Sequence, residues 1–206
     1  MAQVYAYDGI VPVVDPSAFV HPAAVLIGDV IVGAGCYVGP GAVMRGDFGR
    51  IVMGDGANLQ ETCVVHAFPN LETVIEEAGH VGHGAVLHGC RVGRNALIGM
   101  NAVVMDEAVV GENAFVAAMA FVKAGMEVPA AHLAAGAPAR IVRELTDTEI
   151  DWKTRGTGVY QQLARDAQHK LVPAEPLSEV ERNRRRIEAP DYDPLMLERA
   201  KFSERP

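Results

Sequence analysis

Residues 92–122 read V-G-R-N-A-L-I-G-M-N-A-V-V-M-D-E-A-V-V-G-E-N-A-F-V-A-A-M-A-F-V, with an aliphatic at every sixth position: Val92, Ile98, Val104, Val110, Val116 and Val122. Four places after the first five of these stand Ala96, Ala102, Ala108, Ala114 and Ala120, and glycine follows directly at Gly93, Gly99 and Gly111. A helix repeats every 3.6 residues and a simple strand every 2. A strict six suits neither. It suits short strands joined by tight turns, three to a coil, with one inward aliphatic per strand and a small residue near each corner. Coils of this kind stack at ~4.8 Å, so each face becomes a parallel sheet.

The same period runs through Val20, Leu26, Val32, Val38 and Met44, and again through Met53, Leu59 and Val65. A nine-residue step from Met44 to Met53 places an insertion around Gly49. Residues 67–80, A-F-P-N-L-E-T-V-I-E-E-A-G-H, are predicted to leave the coil as a loop, and loops on rigid scaffolds tend to carry binding residues. A shortened five-residue step joins Leu87 to Val92. We expect one coil domain over 1–145. Thr146 with Glu149 three residues on reads as a capping box. Tyr160, Leu163, Ala164, Ala167 and Leu171 then follow helical spacing, so a helix is predicted over 146–172, with a bend or break at Gly156 and Gly158. Residues 173–206 are Pro-rich and charged and predict an extended tail.

The net charge of −8 over 206 residues argues against nucleic acid as a partner, which would need a basic face. Arg182–Arg186, within E-R-N-R-R-R, is a local exception; it reads as a solvated or intersubunit charge run, or as a contact to a phosphate-bearing ligand such as coenzyme A. No apolar run approaches the ~20 residues that span a bilayer, and the opening M-A-Q-V-Y-A-Y-D does not read as a signal peptide, so a cytoplasmic protein is expected. Cys36, Cys63 and Cys90 fall at repeat positions and are predicted to be small buried hydrophobes.

His66, His80, His83 and His88 lie within 23 residues. Three neutral imidazoles and one open position make a catalytic zinc site. His66 and His88 each directly follow a core aliphatic, Val65 and Leu87, so they occupy equivalent corners of neighbouring coils and project close together. His83 precedes His88 by five residues, a span of up to ~16 Å when extended, which does not by itself bring it to the same ion. His80 is an alternative ligand. Arg45 and Asp47, two apart, leave one face of a strand and predict an ion pair. Asn58 and Gln60, also two apart, suit orienting a water or a substrate carbonyl.

The stretches M-R-G-D-F-G-R (44–50) and G-A-N-L-Q-E-T (56–62), followed by the histidines, resemble the gamma-class carbonic anhydrases of the hexapeptide-repeat superfamily. Y-x-x-D-G-I-V-P-V-V from Tyr5, the segment His88–Asp106 and A-G-A-P-A-R-I-V-R-E-L to Leu145 resemble the branch of that family linked to phenylacetic acid degradation; the likeness spans about residues 4 to 172. It implies an all-β fold, a left-handed parallel β-helix with a C-terminal α-helix packed along it, and a homotrimer. It also implies zinc, with iron or cobalt as substitutes, held at the subunit boundary by His66 and His88 of one chain and His83 of the next. Arg45 and Asp47 would pair at that boundary, and Gln60, Asn58 and Tyr160 would act on the bound water or substrate. Where well-known gamma enzymes carry an acidic proton shuttle this chain has Phe48, and their acidic loop is replaced by A-F-P-N-L. The resemblance therefore implies a metal-dependent coenzyme A thioesterase in phenylacetate degradation. Carbonic anhydrase, or a hexapeptide acyltransferase or non-catalytic relative, is the alternative.

Overall fold

The structure, a computed structural model, describes residues 2–188 and 190–198. Its centre is the expected parallel β-helix, wound left-handed. One face stacks Phe19, Tyr37, Asn58, His80, Leu97, Phe115 and Leu133 in register, seven coils deep. A second face stacks Val25, Val43, Val64, Val86, Val103 and Phe121. The third runs through Val52, Val74, Arg91, Val109 and Glu127.

Next to each outward residue is the inward aliphatic that the period predicts. Leu26, Met44, Val65, Leu87, Val104 and Val122 form one buried ladder, and Val32, Met53, Ile75, Val92, Val110 and Val128 another. Deleting a side chain from such a ladder would remove contacts to the coils on both sides, the situation in which large-to-small changes destabilise most. Corners repeat every six residues in the left-handed region, at Asn95 (φ 54°), Asn101 (φ 55°), Glu107 (φ 57°), Asn113 (φ 56°) and Met119 (φ 62°). Asparagine tolerates that region better than most residues, which explains its recurrence there. Strand Arg140–Glu144 turns back antiparallel on His132–Ala135 and closes the last coil.

The predicted excursion at 67–80 is shorter than expected. Thr73–Ile75 is already a strand, paired with Ile51–Met53 on one side and Arg91–Val92 on the other. The extra residues before it, 67–72, fold over Gly49, where any side chain would run into the Leu71 carbonyl.

The helix α1, Asp147–Lys170, carries the capping box at Thr146 and Glu149. Arg143 grips the buried Glu149 carboxylate with two hydrogen bonds, of 2.8 and 2.7 Å. α1 runs unbroken through Gly156 and Gly158, where a bend or break was expected. Gly156 is there for a long-range reason: the Tyr192 ring lies against it, and a Cβ would clash with the phenol oxygen. The tail is extended and exposed to residue 188, then packs back. Tyr192 stacks on Trp152 at 5.4 Å, and the Trp152 indole donates to the Asp193 carbonyl at 2.8 Å. Residues 189 and 199–206 of the predicted tail lie outside the described residues. No helix among the described residues is long and apolar enough to cross a membrane.

Candidate functional site

His66 ends strand Val64–His66 and His88 ends strand Val86–His88, and the two residues are direct register partners on adjacent coils. Their rings meet as predicted, with His66 Nδ1 3.1 Å from His88 Nε2. Each ring is anchored behind by a carboxylate: His66 Nε2 lies 2.9 Å from Asp47, and His88 Nδ1 lies 2.6 Å from Asp106. When each carboxylate accepts a ring N–H, the lone pairs of His66 Nδ1 and His88 Nε2 are left facing one another. That is the carboxylate–histidine arrangement that orients metal ligands. Two nitrogens bound to one tetrahedral zinc at 2.0–2.1 Å stand about 3.3 Å apart, so the pair fits as two ligands.

Around this pair the expected ion pair is present, Arg45 to Asp47 at 2.6 Å. Burial alone would raise the Asp47 carboxyl, but hydrogen bonds from Arg45 and His66 outweigh it and hold it below the ordinary value. Thr73 fastens the loop, donating to the His66 carbonyl at 2.6 Å and accepting from the Gly89 amide at 2.8 Å. Phe48 and Phe68, both more than half exposed, flank the histidines with ring centroids 5.4 Å from His66 and 4.9 Å from His88.

The remaining expected site residues are elsewhere in the chain. His83 is half-exposed and its Nδ1 lies 2.5 Å from Glu61, whose other oxygen accepts the Tyr37 hydroxyl at 3.1 Å. Among the described residues no three histidine, cysteine or carboxylate groups of one chain converge on a metal-holding arrangement. One chain thus offers two of the three expected ligands together. Asn58 and Gln60 belong with His80, not with His66 and His88. Gln60 Nε2 donates to Asn58 Oδ1 at 3.0 Å and sits 2.7 Å from His80 Nε2. Tyr160, on α1, packs edge-on against His80 at 5.2 Å and against Tyr37 at 5.6 Å. Burial, and then the nearby Glu61, push its hydroxyl up to about 12, so it stays a hydrogen-bond donor at neutral pH. A cavity of about 360 Å³ lies beside these groups, lined by Gln60, His80, His83, Trp152, Tyr160 and Tyr192 among others.

Asp106 and Glu61 escaped the sequence reading. Asp106 lies 18 residues, one regular coil, after His88, so register arithmetic would have found it. Lys153 also went unnoticed. Its side chain is buried and donates to the Ala78 carbonyl and to Asn95 at 2.7 Å, and burial lowers its ammonium to about 7. All three cysteines are free and buried, and burial pushes Cys63 up to about 11, an unreactive thiol.

His80 gives the site a pH signature. Burial first, then the Lys153 charge and His83, push its imidazole down to about 3 from an ordinary 6.5. Between those values the unfolded chain holds a proton that the folded chain does not. Stability is therefore present above pH 6.5 and lost as pH falls toward 3, by up to about 1.4 kcal/mol per pH unit. We expect urea titrations of metal-free protein at several pH values to show this slope, and His80→Gln to remove one proton's worth of it. Equal slopes in both proteins would refute the assignment.

Two sets of known proteins resemble this chain. The carnitine operon protein CaiE of Salmonella newport strain SL254 is 54% identical over 183 residues, covering 89% of this chain and 92% of the relative. Among solved structures, a hexapeptide transferase family protein of Anaplasma phagocytophilum superposes with a TM-score of 0.77 at 37% identity, over 79% of this chain and 96% of that one. A Bacillus cereus protein provisionally described as an acetyltransferase gives 0.79 at 34%, over 80% and 95%. These names fit the acyltransferase or non-catalytic alternative better than the expected thioesterase, and they do not single out the phenylacetate branch. The family profile "Bacterial transferase hexapeptide (six repeats)" matches residues 89–124. With this level of identity to CaiE over nearly its whole length and with its six-residue coil, the chain belongs to the hexapeptide-repeat family.

Proposed function

We propose that the chain acts on acyl groups carried as coenzyme A thioesters, at a metal centre formed by His66 and His88 together with His83 of the partner subunit in a homotrimer. The observation that carries this reading is the pair of carboxylate-anchored imidazoles with facing lone pairs. A divalent ion there, zinc or alternatively iron or cobalt, would supply Lewis acidity and lower the pKa of a water toward neutrality. Asp47 and Asp106 hold the two rings in place, and Arg45 keeps Asp47 in its charged form. Phe48 and Phe68 offer apolar walls that suit an organic acyl group better than carbon dioxide. Tyr160 and Gln60 line one cavity with His83, so they would reach the centre together with it, from the neighbouring copy; there Tyr160, kept protonated, would donate to the oxygen that gains charge as the thioester carbonyl is attacked. Gln60, set by Asn58 and His80, positions the attacking group.

When water attacks, the reaction is thioester hydrolysis; when an amine or hydroxyl attacks, it is acyl transfer. The transferase names of the structural relatives favour transfer; the facing imidazole pair, whose ion would lower the pKa of a water toward neutrality, favours hydrolysis. The deciding experiment follows thiol release from aryl and short-chain acyl coenzyme A by metal-replete protein, with and without amine and alcohol acceptors, beside a carbon dioxide hydration assay. Thiol release without an acceptor is the expected result. Release only with an acceptor would make the protein a transferase, and carbon dioxide hydration without any thiol release would overturn the acyl reading.

A further inference from the structure

The basic run in the tail finds a place in the fold. Residues 185–188 lie along the C-terminal half of α1 and close a groove of about 830 Å³. Its floor is apolar and aromatic: Phe19 and Tyr37, stacked at 5.7 Å, with Leu163, Leu171 and Ile187. The last three are large hydrophobics left exposed, Ile187 at 96%. Lys170, Arg185 and Arg186 line the same groove, with Asp166 and Glu188 as the opposing charges. Lys170 is paired with Asp166 at 2.9 Å. Among the described residues neither Arg185 nor Arg186 has a carboxylate within salt-bridge distance, whereas neighbouring Arg184 pairs with Glu181. In a chain of net charge −8, two guanidinium groups without a paired carboxylate among the described residues, beside an aromatic floor, form a local anion site, and guanidinium geometry matches phosphate. An inorganic anion would leave the apolar floor unused. The complementary ligand has a flat ring and several phosphates.

The groove also leads toward the candidate site. Tyr37 forms part of its floor, and the Tyr37 hydroxyl donates to Glu61, which holds His83. Along α1, Lys170 and Tyr160 are ten residues apart, about 15 Å at the helical rise. A pantetheine arm, comparable to four or five extended residues, covers that distance.

We infer that the groove between the C-terminal half of α1 and residues 185–188 binds the phosphorylated adenosine end of a coenzyme A thioester, with Arg185 and Arg186 on its phosphates. The inference rests on the acyl coenzyme A reading of the site, and its test separates the two. Calorimetry on the full chain would measure coenzyme A and adenosine 3′,5′-bisphosphate binding to wild type and to the Arg185→Ala/Arg186→Ala double variant. Binding weaker by about 10- to 100-fold in the double variant, with a reduced dependence on salt, is expected. Glu188→Gln, which removes an opposing charge, should bind more tightly. In kinetics the double variant should raise KM for acyl coenzyme A by a similar factor, while an N-acetylcysteamine thioester, which lacks the nucleotide, is turned over alike by both proteins. Equal coenzyme A affinity in wild type and double variant, or no binding of either probe to wild type, would overturn the groove assignment even if thioesters are cleaved. Nucleotide binding lost in the double variant, from a wild type that turns over no thioester, would leave the groove standing and remove the acyl reading.

Discussion

Replacing His88 by alanine is expected to empty the metal from the purified protein and to reduce acyl coenzyme A turnover on the order of 10³-fold or more, the rate equivalent of several kcal/mol of lost transition-state charge stabilisation. The reason lies in the pairing. His66 and His88 present facing nitrogens 3.1 Å apart, and removing one leaves a single imidazole from this chain. It also leaves Asp106, only 13% exposed, without the ring that it anchors. Asp106→Asn is the graded companion. It keeps the ligand and weakens its orientation, for an expected 10- to 100-fold loss of metal affinity. Metal content by emission spectroscopy and thiol-release rates check both variants. Full occupancy in His88→Ala would sink the metal centre.

The second large effect is complementation between two dead proteins. His83 stands apart from the histidine pair within its own chain, so a three-ligand centre needs two copies. His83→Ala and His88→Ala should each be inactive alone. Co-expressed in equal amounts and purified as mixed trimers through different tags, they should recover about a third of wild-type activity, because in either mixed trimer one boundary of the three joins an intact pair to an intact His83. No recovery from verified mixed trimers would mean that His83 is not the third ligand. A monomer in sedimentation that still holds a full complement of metal would refute the boundary site altogether.

The coil was legible because its signal is redundant: Val92 to Val122 repeats one instruction six times, and every inward position is buried as that instruction requires. The helix was legible from Thr146 and Glu149. The loop boundary was misjudged although the clue was present, since Ile75 precedes Val81 by six and so already stands in the repeat. Thr73–Ile75 was hidden by the charged residues around it. The reason for a glycine at 156 inside an unbroken helix could not be read locally, because the ring that needs the space belongs to Tyr192, 36 residues later. His66 and His88 were paired correctly from their frame. The distance of His83, Gln60 and Tyr160 from that pair follows from which face of a three-sided coil each residue leaves, and the period alone does not label the faces.

The return path of α1 sets a gauge for the whole molecule. Twenty-four residues at the helical rise span about 36 Å. Seven stacked rungs, six steps of ~4.8 Å, stand about 29 Å tall. The helix is tied at the last coil, where Arg143 holds Glu149, and at the first, where Gln168 donates to the Ser17 carbonyl at 3.0 Å. A β-helix has no intrinsic stopping point, since each coil is a template for the next. Here the tied helix acts as a ruler laid beside the stack: inserting one 18-residue coil would carry the two anchorages apart, and lengthening the coil would require lengthening α1 with it.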